Sequence, residues 1–187
     1  GKKWTDQKEA CDIEGKILLT EDDFDSALAI RDAVHADAWL NEVITGGGDQ
    51  RMVEASGYWI DPVTGVLCRC RPDLWRGDLK IILDVKSTQS AAPKDFAKSV
   101  VNYGYHGQEA FYSDGWNALG QQVDAFVFLA FEKKSPFAKA IYELPPSMVA
   151  EGRAIIRESL DTYAKCKAED KWPAYADGVQ ELEFQRW

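Results

Sequence analysis

The chain has 187 residues, of which 45% are hydrophobic and 12% aromatic. That is enough apolar material for one domain with a real core, and too much for a disordered chain. No run of about 18 apolar residues occurs, which excludes a membrane-spanning helix, and Gly1-Lys2-Lys3-Trp4 offers no signal-peptide apolar core. The net charge of −9 excludes a uniformly basic nucleic-acid binder, but it is unevenly spread. Residues 1–60 carry 6 basic and 13 acidic side chains, residues 61–142 carry 10 and 9, and residues 143–187 carry 6 and 9. The middle of the chain can therefore present a basic surface within an acidic whole.

Thr20-Glu21-Asp22-Asp23 supplies a hydroxyl cap followed by acids, a helix start. Apolar residues at Phe24, Ala27, Leu28, Ile30, Val34 and Ala38 carry the helix to about residue 44, before Gly46-Gly47-Gly48. Alternating runs then predict strands over 51–60, 66–73 and 80–86, joined as two consecutive antiparallel hairpins. From Pro93 the pattern is helical, with a break near 102–104 and a second helix over 105–119. Strands follow over 122–131 and 137–144, then a long amphipathic helix over 147–168 and an irregular tail, 171–187. The order α-β-β-β-α-α-β-β-α predicts an α/β (α+β) fold, a single domain over 1–187 with a central mixed sheet flanked by helices.

The stretch Arg69 to Thr88 raises a chemical question. Asp84 and Lys86 are two apart in an apolar run, so they project from the same face of one strand. Val85 is expected to point into the core on the other face, its carbonyl staying near Asp84. Asp73 ends the preceding strand, where a hairpin can bring it beside Asp84, and Glu54 lies on the first strand, which can pair with the second. Three hard carboxylates on adjacent strands suit Mg²⁺ or Mn²⁺, and a neighbouring Lys can orient a water or offset developing charge. The alternative is an exposed Asp84–Lys86 ion pair, a common and weak feature. Ile81, Ile82, Leu83 and Val85, which look buried, argue against it.

Arg71-Pro72-Asp73, then Asp84-Val85-Lys86, resembles the PD-(D/E)xK nuclease motif. Tyr105-His106-Gly107-Gln108-Glu109-Ala110-Phe111-Tyr112 is similar to a segment of the RecE-type exonucleases (exonuclease VIII) and their phage relatives, as are DVKST at 84–88, FYSDG at 111–115 and KWPAY at 171–175. The resemblance implies a PD-(D/E)xK restriction-endonuclease-like core and a Mg²⁺-dependent 5′→3′ exodeoxyribonuclease, with Mn²⁺ able to substitute. It implies linear double-stranded DNA ends as substrate, a 3′-ended single strand as product, a single-strand-annealing recombinase as partner, a homo-oligomeric ring, and a cytoplasmic setting. Asp73 and Asp84 would ligate the metal with the Val85 carbonyl. Glu54 would ligate directly or through water. Lys86 would serve the attacking water, Gln108 would position it or the scissile phosphate, and Tyr112 would support that helix face or contact DNA.

The family carries an important His on a helix well upstream. His35 lies too close to Glu54 for that part and reads as a partly exposed or core residue. With no initiator Met, the chain is expected to be a fragment from which that upstream helix is missing. His106 could approach a phosphate or act in support. Lys94 and Lys98, four apart on one helix, could track the DNA backbone or simply face solvent, and the same holds for Lys133-Lys134. Trp75 and Trp116 are read as core. The four cysteines lack the close spacing of a cluster ligand run and are read as ordinary thiols. Two other functions stay open: a structure- or sequence-specific endonuclease on the same motif, and a non-catalytic DNA-end-binding module.

Overall fold

The hydroxyl of Thr20 accepts the Asp23 N–H at 3.1 Å and starts a helix as expected. In the computed structural model, which describes residues 2–175, 178–179 and 181 (backbone alone for 2–4 and 12), that helix is α2 (Glu21–His35). It does not run on to residue 44. Asp37 accepts the Leu40 N–H at 3.0 Å and caps a separate helix, α3 (Ala38–Thr45). An Asx cap beside a small turn outcompetes the continuous apolar stripe. Before both lies α1 (Lys2–Ile13), which the sequence pattern did not indicate.

The expected pair of hairpins is corrected. The run over 51–60 splits into β1 (Arg51–Val53) and β2 (Gly57–Ile60), which belong to different sheets. Glu54 breaks the strand with φ 51°, a left-handed conformation rare outside glycine. β2 pairs only with β3 (Leu67–Cys70), as a separate two-stranded unit. Gly57 lets that unit close on the helix behind it, where a Cβ would stand 2.6 Å from Leu119 and 2.7 Å from Trp116. The main sheet has the order β1-β4-β5-β6-β7, built with β4 (Leu74–Arg76), β5 (Ile81–Thr88), β6 (Ala125–Glu132) and β7 (Lys139–Tyr142). β5 and β6 are parallel and the other pairs antiparallel. The helices α4 (Pro93–Asn102), α5 (Tyr105–Ala118) and α6 (Pro146–Glu169) fall close to expectation. The mixed α/β architecture is as read from the sequence.

β4 escaped the sequence pattern because all three of its residues are buried, so nothing alternates. Arg76 is the unusual member. It donates to the Val43 carbonyl at 2.8 Å and to both oxygens of Asp78 at 2.9 and 2.8 Å, tying the sheet to the C-terminal end of α3.

Alternation along the strands sorts two cores. On one face Trp75, Ile82, Phe126 and Phe128 pack under Phe96 and Val100 of α4 and Trp116 of α5. Trp75 and Trp116 meet edge-on at 6.1 Å. On the other face Leu74, Leu83, Val127 and Leu129 pack against Val34 of α2 and Leu40 and Val43 of α3. Val85 shares that second face but is 39% exposed, which corrects its expected place in the core. It lies one step along β5 beyond the Leu83 position that those helices cover. All four cysteines are free thiols. Among the described residues no helix is long and apolar enough to cross a membrane. Residues 171–175 form no regular element, and 176–177, 180 and 182–187 of the expected irregular tail lie outside the described residues.

Candidate active site

β5 delivers Asp84 and Lys86 to the helix-covered face, and α5 crosses above them. Asp84 is 2% exposed. Its Oδ1 forms an ion pair with the Lys86 ammonium, and its Oδ2 accepts from Gln108 Nε2 at 2.6 Å. Lys86 Nζ donates to Gln108 Oε1 at 2.8 Å and lies 4.5 Å from the centre of the Tyr105 ring. The three side chains form a closed cycle. An amide suits the third place, since it donates to the carboxylate through its nitrogen and accepts from the ammonium through its oxygen. Burial pushes the Asp84 carboxyl above its ordinary range, while the Lys86 ammonium and the Gln108 hydrogen bond pull it down and the Asp73 charge adds to the rise.

Asp73 stands where β4 begins. Its Oδ2 accepts the Val85 N–H at 2.7 Å. In a strand, one residue's N–H and C=O point to the same side, so the Val85 carbonyl also faces Asp73, beyond the end of β4. Among the described residues no cluster of three His, Cys, Asp or Glu is assembled for a metal ion. What is assembled is a pair of carboxylates and a main-chain carbonyl, and Asp84 Oδ1 has no hydrogen bond of good geometry. Such a buried hard oxygen, with two more beside it, fits a divalent ion that keeps several of its waters.

Glu54 does not join them. Its carboxylate is 54% exposed and pairs with Arg71 at 3.0 Å. The reason is the strand break: β1 pairs with β4 and ends before Glu54, whose N–H then bonds the Asp73 carbonyl at 3.0 Å. The main chain of Glu54 touches the site while its side chain turns away.

A cleft of about 510 Å³ opens from Lys86 and Tyr105 outward along Thr88, Lys98, Tyr103 and Lys133. Lys98 reaches Asp95 at 3.3 Å, and Tyr103 and Tyr105 stack with centroids 5.7 Å apart. Lys94 is exposed on the same helix as Lys98 but does not line the cleft. Tyr112 is half-buried with its ring edge-on to Phe126 at 6.5 Å, in the position of a support for the α5 face. His106 is corrected from a DNA-contacting residue. It is buried, its Nδ1 lies 3.4 Å from the Val100 carbonyl, and α6 crosses it so closely that a Cβ on Gly152 would collide with its main chain. His35 is exposed at the end of α2 and pairs with Asn41 at 2.7 Å, away from these groups.

Two residues that line the cleft were not singled out in the sequence. Thr88 shares the face of Lys86 by the same period of two that linked Asp84 to Lys86. Tyr103 carried only the signal of an aromatic residue at a helix break.

The family model described as a PDDEXK-like domain of unknown function (DUF3799) matches residues 2–184. No curated protein matches the chain. The crystal structure of a candidate exonuclease from Eubacterium rectale superposes with a TM-score of 0.67 at 16% identity, over 96% of this chain and 71% of that one. At that identity the likeness is one of fold. A second solved structure, 18% identical over 74% of this chain and 64% of its own, reaches a TM-score of only 0.35. A mixed sheet that sets Asp73, Asp84 and Lys86 beneath a helix carrying Gln108 is the PD-(D/E)xK nuclease fold, and the chain belongs to the PDDEXK-like domain family DUF3799.

Proposed function

We propose that the protein is a divalent-metal-dependent exodeoxyribonuclease that degrades one strand 5′→3′ from the ends of linear duplex DNA, as the RecE-type enzymes do. The observation that carries this reading is the buried Asp84–Lys86–Gln108 cycle, with Asp73 beside it, at the inner end of a cleft flanked by Lys98 and Lys133. A network of three polar side chains is costly to bury unless something uses it.

Asp73, Asp84 and the Val85 carbonyl would hold Mg²⁺, or Mn²⁺ in its place. When bound, the ion supplies polarisation of the scissile phosphate and a more acidic water. The chain's own residues supply the rest. Lys86 is held on three sides by Asp84, Gln108 and the Tyr105 ring, so its ammonium has little freedom. It can fix the attacking water and offset the charge that builds on the phosphate oxygens. Gln108 keeps Asp84 and Lys86 in register, and Tyr112 braces the helix that carries it. Lys98 and Lys133 neutralise backbone phosphates along the cleft, with Lys94 at its outer approach. Glu54 serves only if it leaves Arg71.

The product would be a 3′-ended single strand for a single-strand-annealing recombinase, in the cytoplasm of a bacterial or phage-infected cell. A homo-oligomeric ring would collect the basic middle segments around the duplex and keep the enzyme on its substrate. Sedimentation should then show an assembly larger than a monomer.

The test is Mg²⁺-dependent digestion of linear duplex labelled at its 5′ ends, beside closed circular duplex and the Asp84→Asn variant. Early release of labelled mononucleotides, intact circles and an inactive variant support the proposal. Nicked circles would replace it with an endonuclease. Retention of DNA ends without hydrolysis would replace it with a binding module.

A further inference from the structure

Glu109 follows Gln108 on α5 but faces away from the cycle. It is 7% exposed, and its Oε2 has no hydrogen-bond partner among the described residues. A buried acceptor left unmade is expensive, and native structures rarely keep one without a use. Glu109 lines a second cavity, of about 380 Å³, at the start of β6, separate from the cleft at Lys86. Glu143, just after β7, and Asp124, just before β6, line it too. Arg153 of α6 is the cation among its lining residues, and both its Nε and Nη2 are engaged by Asp114 at 2.7 and 2.9 Å. Asp124 is served by Gln122 at 2.7 Å and Lys80 at 3.7 Å. Glu109 and Glu143 are left facing the space. Apart from Ser113 the remaining wall is apolar, with Phe126 and Leu144 in it.

Two carboxyls with no cation in contact among the described residues favour a cationic guest, which would hold Glu109 in its ionised form. The apolar wall says that it must also carry carbon. A bare divalent ion suits the site poorly, since part of the wall is apolar and the volume exceeds an ion's needs.

We propose that this cavity binds an alkylammonium group, its charged head received by Glu109 and Glu143 and its short carbon chain lying on Phe126 and Leu144. A free di- or polyamine and the lysine side chain of a protein partner both present this chemistry. Burial and Glu143 together push the Glu109 carboxyl up to about 8, against the pull of Arg153. Receiving an ammonium therefore requires Glu109 to give up a proton, and affinity rises between pH 6 and pH 8.5.

Calorimetric titration of the whole chain tests this, with 1,5-diaminopentane as one probe and Nα-acetyl-lysine N-methylamide as the other. Saturable one-to-one binding of either is expected. The tighter of the two identifies the source. The neutral 1,5-pentanediol should give no binding, and Asp84→Asn should bind as the native chain does. Glu109→Gln should weaken binding about tenfold or more and remove its pH dependence. Glu143→Gln, an exposed change that leaves the fold intact, should weaken it about threefold. No saturable heat with either amine overturns the proposal. So does equal binding of the pentanediol, or undiminished binding in both glutamate variants.

Discussion

Asp84 and Glu109 lie under the same helix-covered side of the sheet, nearly equally buried, and their surroundings treat them differently. Asp84 has Lys86 against one oxygen and Gln108 against the other. Glu109 has a carboxylate, Glu143, for a neighbour, and an arginine whose donors are spent on Asp114. Burial raises both carboxyls. At Glu109 only the more distant Arg153 charge opposes that rise, whereas Asp84 has Lys86 and Gln108 in direct contact with its two oxygens. Asp61 marks the far end of the series. It is 6% exposed, yet Arg157 grips both its oxygens at 2.8 and 2.9 Å and holds the carboxyl well below the usual range. Depth sets the rise and a directly hydrogen-bonded cation opposes it: at Asp84 burial still wins, and at Asp61 the Arg157 hydrogen bonds win.

The strongest test of that contrast is Asp84→Asn. It keeps the shape and removes the charge that would hold the metal. Hydrolysis of linear duplex should fall about 10³-fold or more, since the interaction is needed in the transition state. Circular dichroism and thermal melts should show the fold retained. If the variant cuts at native rates, Asp84 is only a structural partner of Lys86.

Asp61→Asn comes next. It leaves Arg157 without the pair that ties the β2–β3 unit to α6. At pH 7 the variant should be the less stable, by less than the loss of a fully buried pair because Arg157 is partly exposed. The native carboxyl has a folded value below its unfolded one, so its contribution is present above about pH 4. It is lost as pH falls further. Urea titrations of both chains should therefore differ at pH 7 and converge in strong acid.

Much of this was legible in the sequence, and the failures share a cause. The period of two linked Asp84 to Lys86, and the helix carrying Gln108 was placed from its apolar spacing. Glu54 was misjudged because one positive φ splits an alternating run that looks continuous on paper. β4 was missed because three consecutive buried residues, one of them an arginine, carry no alternation. Val85 was put in the core because alternation says which face a residue shares, not how far the covering helices extend. Glu109 had no signal at all. Its burial comes from the crossing of α6 over α5, a contact set by Gly152 some forty positions away.

Glu109→Gln reverses the sign of the Asp61 result. A carboxyl whose folded value stands near 8, against an ordinary 4.5, weakens the fold progressively as pH rises from the lower value to the higher. The amide carries no such penalty. The variant should match the native chain at pH 4 and exceed its stability by about 1–3 kcal/mol at pH 9. Equal curves at both pH values would mean that Glu109 ionises freely and that its burial costs nothing.

Glu143→Gln separates the two causes behind that rise. Burial is the larger, and the Glu143 charge the smaller. Removing the charge leaves Glu109 as deeply covered as before, because Glu143 is exposed. Two charges interacting near the surface at an effective dielectric of about 20 exchange little energy across several ångströms. The midpoint of the pH-dependent loss of stability should therefore move down by less than about one pH unit, and added salt should shrink the move further. A larger drop would make Glu109 a carboxyl governed by its like-charged neighbour. An unmoved midpoint would leave burial as the sole cause, and the contrast with Asp84 would then rest on Lys86 alone.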